Sequence, residues 1–186
     1  MKSHRPKTDH AAEMSQFLQS EAELAHIVLD ILKDDTINVM AKAPAIAAAR
    51  YAAEENDLIP DDVPLFGQID DLYITAIALS DMIRDLGEQG TMLGERKLKD
   101  GDLLGGRLTA MQTRFAGFWQ YCKKASEPFV KRNRDHYAAH PEQLPELCRT
   151  FAKEIEKLDK LCEVPIKLEA REVERFAAQF RGTVEE

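Results

Sequence analysis

Five aspartates, Asp57, Asp61, Asp62, Asp70 and Asp71, fall within fifteen residues, interleaved with Pro60, Pro64, Gly67 and the apolar Leu58, Ile59, Val63, Leu65, Phe66 and Ile69. Carboxylates gathered at a sharp turn can offer hard oxygen ligands. Asp57, Asp61, Asp70 and Asp71 are therefore candidate ligands for Mg²⁺, Mn²⁺ or Ca²⁺, in a site that would serve a metal-dependent hydrolase or phosphotransfer enzyme. The spacing is not that of an EF-hand loop. The same residue types also have a purely structural use, because aspartates at turn starts and helix N-termini accept orphan backbone N–H bonds. Asp70 and Asp71 stand just ahead of an apolar helical run, where they would meet the positive end of the helix dipole. Pro60 and Pro64 fix φ, and Gly67 permits positive φ, as a compact connection requires. We favour the structural reading: Asp57, Pro60, Asp61, Pro64, Gly67, Asp70 and Asp71 make a rigid turn, with no cofactor expected beyond such a cation.

A second candidate lies further along the chain. Between Gly101 and His140 there are seven basic residues against three acidic ones, in a chain whose formal net charge is −8; the rest of the chain carries −12. Lys123, Lys124, Lys131, Arg132 and Arg134 lie among Phe118, Trp119, Tyr121, Phe129 and Tyr137. Cations mixed with aromatic rings are what single-stranded nucleic-acid surfaces use. Most of these rings also fall on or beside an apolar stripe, so nucleic acid is disfavoured and a solvated or partner-facing helix is expected. His136 and His140, with Asp135 adjacent, could share a helix face as metal ligands, but a zinc site needs more donors. No nucleophile elbow or phosphate-cradling glycine loop occurs, and Cys122 sits in an apolar stripe that favours an inert thiol over an activated one. No catalytic residue is assigned.

At 186 residues, 44% hydrophobic and 31% charged, the chain suits a packed globule with no need of a staple. Three widely spaced cysteines, Cys122, Cys148 and Cys162, read as buried free thiols of a reducing compartment. The basic Met1 to Lys7 leads into polar residues rather than an apolar leader core, and the longest uncharged apolar-rich run, Leu72 to Ser80, is far too short to span a bilayer. A cytoplasmic protein with no transmembrane segment is expected.

The periodicity that must position these residues is helical throughout. Leu24, Ile27, Val28, Ile31 and Leu32 form one stripe, with Ser20 and Glu23 spaced as a capping box. Pro44 implies a kink or a fresh start before an alanine-rich helix over 45–55. Ile69, Leu72, Tyr73, Ala76, Ile77, Leu79, Ile83 and Leu86 define the most apolar and hence most central helix, stopped by Gly87 and Gly90. Residues 94–106 mix glycine with charge and read as an exposed loop or hinge. A stripe from Leu104 to Cys122 follows, broken at Pro128, with a short helix over 129–140. Leu144 to Leu161 forms a long helix, and Pro165 separates it from Leu168, Val173, Phe176 and Phe180. With no strand pattern of comparable length, the fold class is all-α, a helical bundle of about six to seven helices. The expected organisation is a disordered 1–8, a helical region 9–93, the loop or hinge at 94–106, and C-terminal helices over 107–186, packed on the first region or forming an arm.

Tyr51, the run Asp57-Leu58-Ile59-Pro60-Asp61, Pro64, Gly67 and the Asp70-Asp71-Leu72 helix start resemble the signature of the YkvA-like family, a bacterial domain of unknown function. The similarity covers about residues 45–83. It implies a helical hairpin around the turn and no established activity. Where such proteins commonly place Ser-Pro shortly before the first aspartate, this chain has Glu54-Glu55. The sequence thus points to a non-enzymatic interaction or regulatory module whose partner is another protein or a second copy of itself.

Overall fold

A computed structural model describes residues 9–53 and 68–179. Among them the chain forms nine α-helices and no strand: α1 (His10–Gln19), α2 (Glu21–Lys33), α3 (Ala43–Tyr51), α4 (Ile69–Asp85), α5 (Glu88–Gly94), α6 (Leu104–Arg114), α7 (Ala116–Ala139), α8 (Leu144–Cys162) and α9 (Ala170–Gln179). The all-α architecture is as expected, with more helices than the six to seven anticipated. The additional ones are short, and α1 lies where no helix was assigned. The N-terminal eight residues, expected to be disordered, and most of the acidic turn fall outside the described residues.

Helix α4 is apolar nearly all round. Ile69, Leu72, Tyr73, Ile74, Ala76, Ile77, Ala78 and Leu79 are all buried, so the helix lies inside the bundle, touching α2, α3, α5, α6 and α7. Helix α3 starts afresh at Pro44, which occupies its first turn, where the missing N–H costs nothing. Its five alanines are buried against α2, α4 and α7, and their small side chains let those helices approach closely. Helix α8 is amphipathic instead: Leu147, Cys148, Phe151 and Ile155 cover α2 while charged residues face out. Each fully buried Leu, Ile or Phe of this kind contributes about 1.5–3 kcal/mol.

Helix α9 returns to α1, with Val173 and Phe176 buried and the Phe176 ring 4.7 Å from that of Phe118. Two α1 side chains hold the link between α8 and α9. Gln19 donates to the Cys162 carbonyl and accepts from Ile166 N–H at 3.0 Å, and Ser15 Oγ accepts from Leu168 N–H at 3.0 Å.

Pro128 does not break the helix that contains it. Helix α7 runs unbroken for 24 residues, because an exposed proline forfeits one backbone bond while Phe118, Trp119 and Cys122 before it and Asn133 and Tyr137 after it are anchored in the core. Ser20 and Glu23 do not form a capping box. The Ser20 hydroxyl donates to Phe17 O, and Glu23 accepts instead from Lys99 N–H at 2.9 Å. Gly87 does end the α4 run, at φ 58°, but Gly90 lies inside α5, where an added Cβ would stand 2.2 Å from the Ile83 carbonyl oxygen. Helix α6 begins at Leu104, so only 95–103 is a loop. It is closed by a bridge between Lys97 and Leu103 and buries Leu98.

Candidate functional site

The end of α3 and the start of α4 meet in the interior. Tyr51, buried in the last turn of α3, donates its hydroxyl to Asp70 Oδ2 at 2.6 Å, and Asp70 is fully buried in the first turn of α4. A neutral donor on a buried carboxylate is a charge-assisted bond, short and strong for its kind. Half-buried Asp71 stands beside it, and both carboxylates lie at the positive end of the most apolar helix, as expected. Asp57, Pro60, Asp61, Pro64 and Gly67 lie outside the described residues.

The residue that sequence reasoning missed is Glu21. It opens α2, is 2% exposed, and neither of its carboxylate oxygens finds a hydrogen-bond partner among the described residues. Burial, and then the charges of Asp71 and Asp70, push its pKa well above the ordinary carboxylate value. A signal was present. Glu21 stands three and four residues before Leu24 and Ala25, on the apolar side of the stripe, where a charge has no ordinary reason to be.

This shift has a sign that can be tested. The folded state keeps the Glu21 proton at pH values where the unfolded chain, titrating near 4.5, has lost it. The associated stability is complete below that value and is lost as pH climbs through the folded-state pKa. Glu21→Gln does not titrate. It should therefore melt above the wild type at mildly alkaline pH, with the gap closing near pH 4.5, as thermal melts across the pH range would show.

Two tyrosines near this cluster should respond oppositely to loss of the hydroxyl. Tyr51→Phe removes a donor from a buried carboxylate and should cost about 1.5–2 kcal/mol. Tyr73 Oη is buried with no hydrogen-bond partner among the described residues, and burial followed by the neighbouring Cys122 pushes its pKa up. Tyr73→Phe should be neutral or stabilising by up to about 1 kcal/mol, because it removes an unmet desolvation cost. Urea titrations of the two variants check the pair.

The cysteines offer no activated nucleophile. None forms a disulfide, and burial raises all three thiols, with Asp70 adding to the effect at Cys122. Among the described residues no group of three or more His, Cys, Asp or Glu side chains is placed to hold a metal ion. His136 bonds to Gln143 Oε1 at 2.9 Å, His140 lies 3.4 Å from Glu142, and Asp135 pairs with Arg134.

The basic residues share α7. Lys124, Lys131 and Arg132 are exposed and Lys123 and Arg134 half-buried, with Arg132 stacked 5.0 Å over the Phe129 ring. Phe118, Trp119 and Tyr137 are buried, so those rings cannot stack on bases. Helical periodicity places Lys123, Lys124, Lys131 and Arg134 within one 100° sector, away from the buried side.

Residues 41–77 match the family described as "Protein of unknown function (DUF1232)", a span of about a fifth of the chain that takes in α3 and the first half of α4. No curated protein and no solved structure matches. The class defined here is an all-α bundle similar, over that span, to a family of unknown function. No helix among the described residues is long and apolar enough to cross a membrane.

Proposed function

We propose that the chain is a non-enzymatic interaction module, a helical scaffold whose docking face is the outer side of α7. The observation that carries this reading is the division of labour on α7: its aromatics lie in the core, and Lys123, Lys124, Lys131 and Arg134 point away from it, in a chain of net charge −8. A concentrated positive face on an acidic protein favours an acidic protein surface, another chain or a second copy, and orients its approach. The polar chemistry at the α3–α4 junction is buried, which supports a structural role for it. The YkvA-like resemblance and the family match fall on the same hairpin and support its role as the rigid centre of the scaffold.

Because Lys124 and Lys131 are exposed, K124E/K131E should leave stability within about 0.5 kcal/mol of the wild type. Sedimentation velocity at low and high salt tests self-association. Cross-linking capture with wild-type and K124E/K131E baits, followed by titration of the purified partner, tests another chain. The expected result is affinity at least tenfold weaker for the reversal, or a salt-sensitive dimer that the reversal abolishes. A partner bound equally well by both baits would overturn the reading.

A further inference from the structure

Between α4 and α7 lies a hollow of about 310 Å³, within the size range of small-ligand sites, and it is ringed by cations. Arg84 contributes from α4, and Lys123, Lys131 and Arg134 from α7; Asp81 and Glu127 are the acidic members. Arg84 is fully committed. It grips Asp85 through Nε and Nη2 at 2.7 and 2.9 Å and Asp81 through Nη1 at 2.6 Å, so it forms a fixed wall. Arg134 spends only its Nε, on Asp135 at 3.2 Å, and both its terminal nitrogens remain. Lys123 stands 4.0 Å from Asp81, too long for a hydrogen bond. Lys131 is exposed, with no carboxylate within ion-pair distance among the described residues. Val130 adds an apolar wall.

We propose that this α4–α7 hollow is the anchor point of the docking face and takes the carboxylate of an acidic-apolar peptide segment of a partner protein. Three available cationic donors around so small a space suit one or two carboxylates, and Val130 suits an apolar neighbour. Asp81 and Glu127 in the same lining argue against a polyphosphate, whose higher charge they repel. The proposal rests on the docking-face reading and narrows it, because Lys124 belongs to the face but not to the lining of the hollow.

The test is fluorescence anisotropy with a labelled Glu-Leu repeat peptide, titrated with the full chain at low salt. Lys131→Glu with Arg134→Glu should weaken binding at least tenfold. Lys124→Glu, and the remote pair Lys153→Glu with Lys160→Glu on α8, should change it less than threefold. Weakening by Lys124→Glu equal to that of the hollow variant would overturn the hollow and leave the docking face standing. Equal weakening by the α8 pair would reduce the effect to overall charge and overturn both, as would absence of binding. A labelled oligothymidylate that binds more tightly than the peptide, or pyrophosphate that displaces it at lower concentration than free glutamate peptide, would assign the hollow to phosphates and overturn the proposal.

Discussion

Phe118→Ala should lower the free energy of unfolding by about 3–5 kcal/mol, the usual range for removing a buried phenylalanine, and depress the melting temperature by on the order of 10 °C. The site explains why the upper half of that range is expected. Phe118 is 2% exposed and packs edge-on to Tyr73 of α4 at 4.8 Å and Phe176 of α9 at 4.7 Å, with Tyr121 of its own helix stacked at 6.3 Å. Three helices meet on this one ring, so the space it leaves cannot close without moving several elements. Aromatic pairs in this geometry are worth about 0.5–1.5 kcal/mol beyond the area they bury. Urea denaturation gives the free energy directly. Phe118→Leu, which keeps much of the volume, should recover more than half of the loss, and an alanine variant within 1 kcal/mol of wild type would mean that the cluster is not a keystone. Limited proteolysis supplies a second readout: with Phe176 deprived of its partner, α9 should be cleaved sooner than α8.

Much of this core is legible in the chain. The spacing of Ile69, Leu72, Tyr73, Ala76, Ile77 and Leu79 marks α4 as central because no polar face interrupts it, and the alanines of α3 occupy the interior as close packing requires. Pro44 opens a helix for the same local reason that sequence reasoning gives. The failures have equally specific causes. Pro128 looks like a breaker because local propensity counts the lost N–H but cannot count the core contacts made on both sides of it. Ser20 and Glu23 have capping spacing, but each is claimed by a distant group, Arg107 and the Lys99 amide. Helix α1 was within reach, since Met14, Phe17 and Leu18 recur at helical spacing and are all buried. Glu21 could be noticed on the apolar stripe, yet that Asp70 and Asp71 face it follows only from the packing of α2 on α4.

Arg107→Ala should cost about 2–3 kcal/mol, an effect that sequence reasoning does not foresee because it counts Arg107 only as one charge in a basic stretch. The side chain is 2% exposed, and its guanidinium gathers three distant groups: Nη1 donates to Ser20 Oγ at 3.3 Å, and Nη2 to Asp102 at 2.9 Å and to Asp100. Those carboxylates are 41% and 61% exposed for Asp100 and Asp102, so they return to water cheaply when the arginine is removed. Most of the cost therefore comes from the buried arm, whose packed methylenes leave a void, and from Ser20, which loses a donor in the interior. Burial works to raise the Asp100 carboxyl, but the bonds it accepts from Arg107, the Asp102 amide and Gln16 outweigh that, holding it below its usual value of 3.8. Stability linked to a depressed carboxylate is present above that value and is lost as pH falls through the folded-state pKa. The gap between wild type and Arg107→Ala should accordingly narrow in strong acid. Arg107→Lys keeps the charge but not the fork, so it should restore less than half of the loss. Hydrogen exchange locates the damage. The Lys99 amide, held on Glu23 in the loop that Arg107 ties to α1 and α2, should exchange faster in the alanine variant while amides within α4 change only in proportion to global stability. Uniform acceleration in both places would mean that Arg107 acts on the whole fold rather than on the loop.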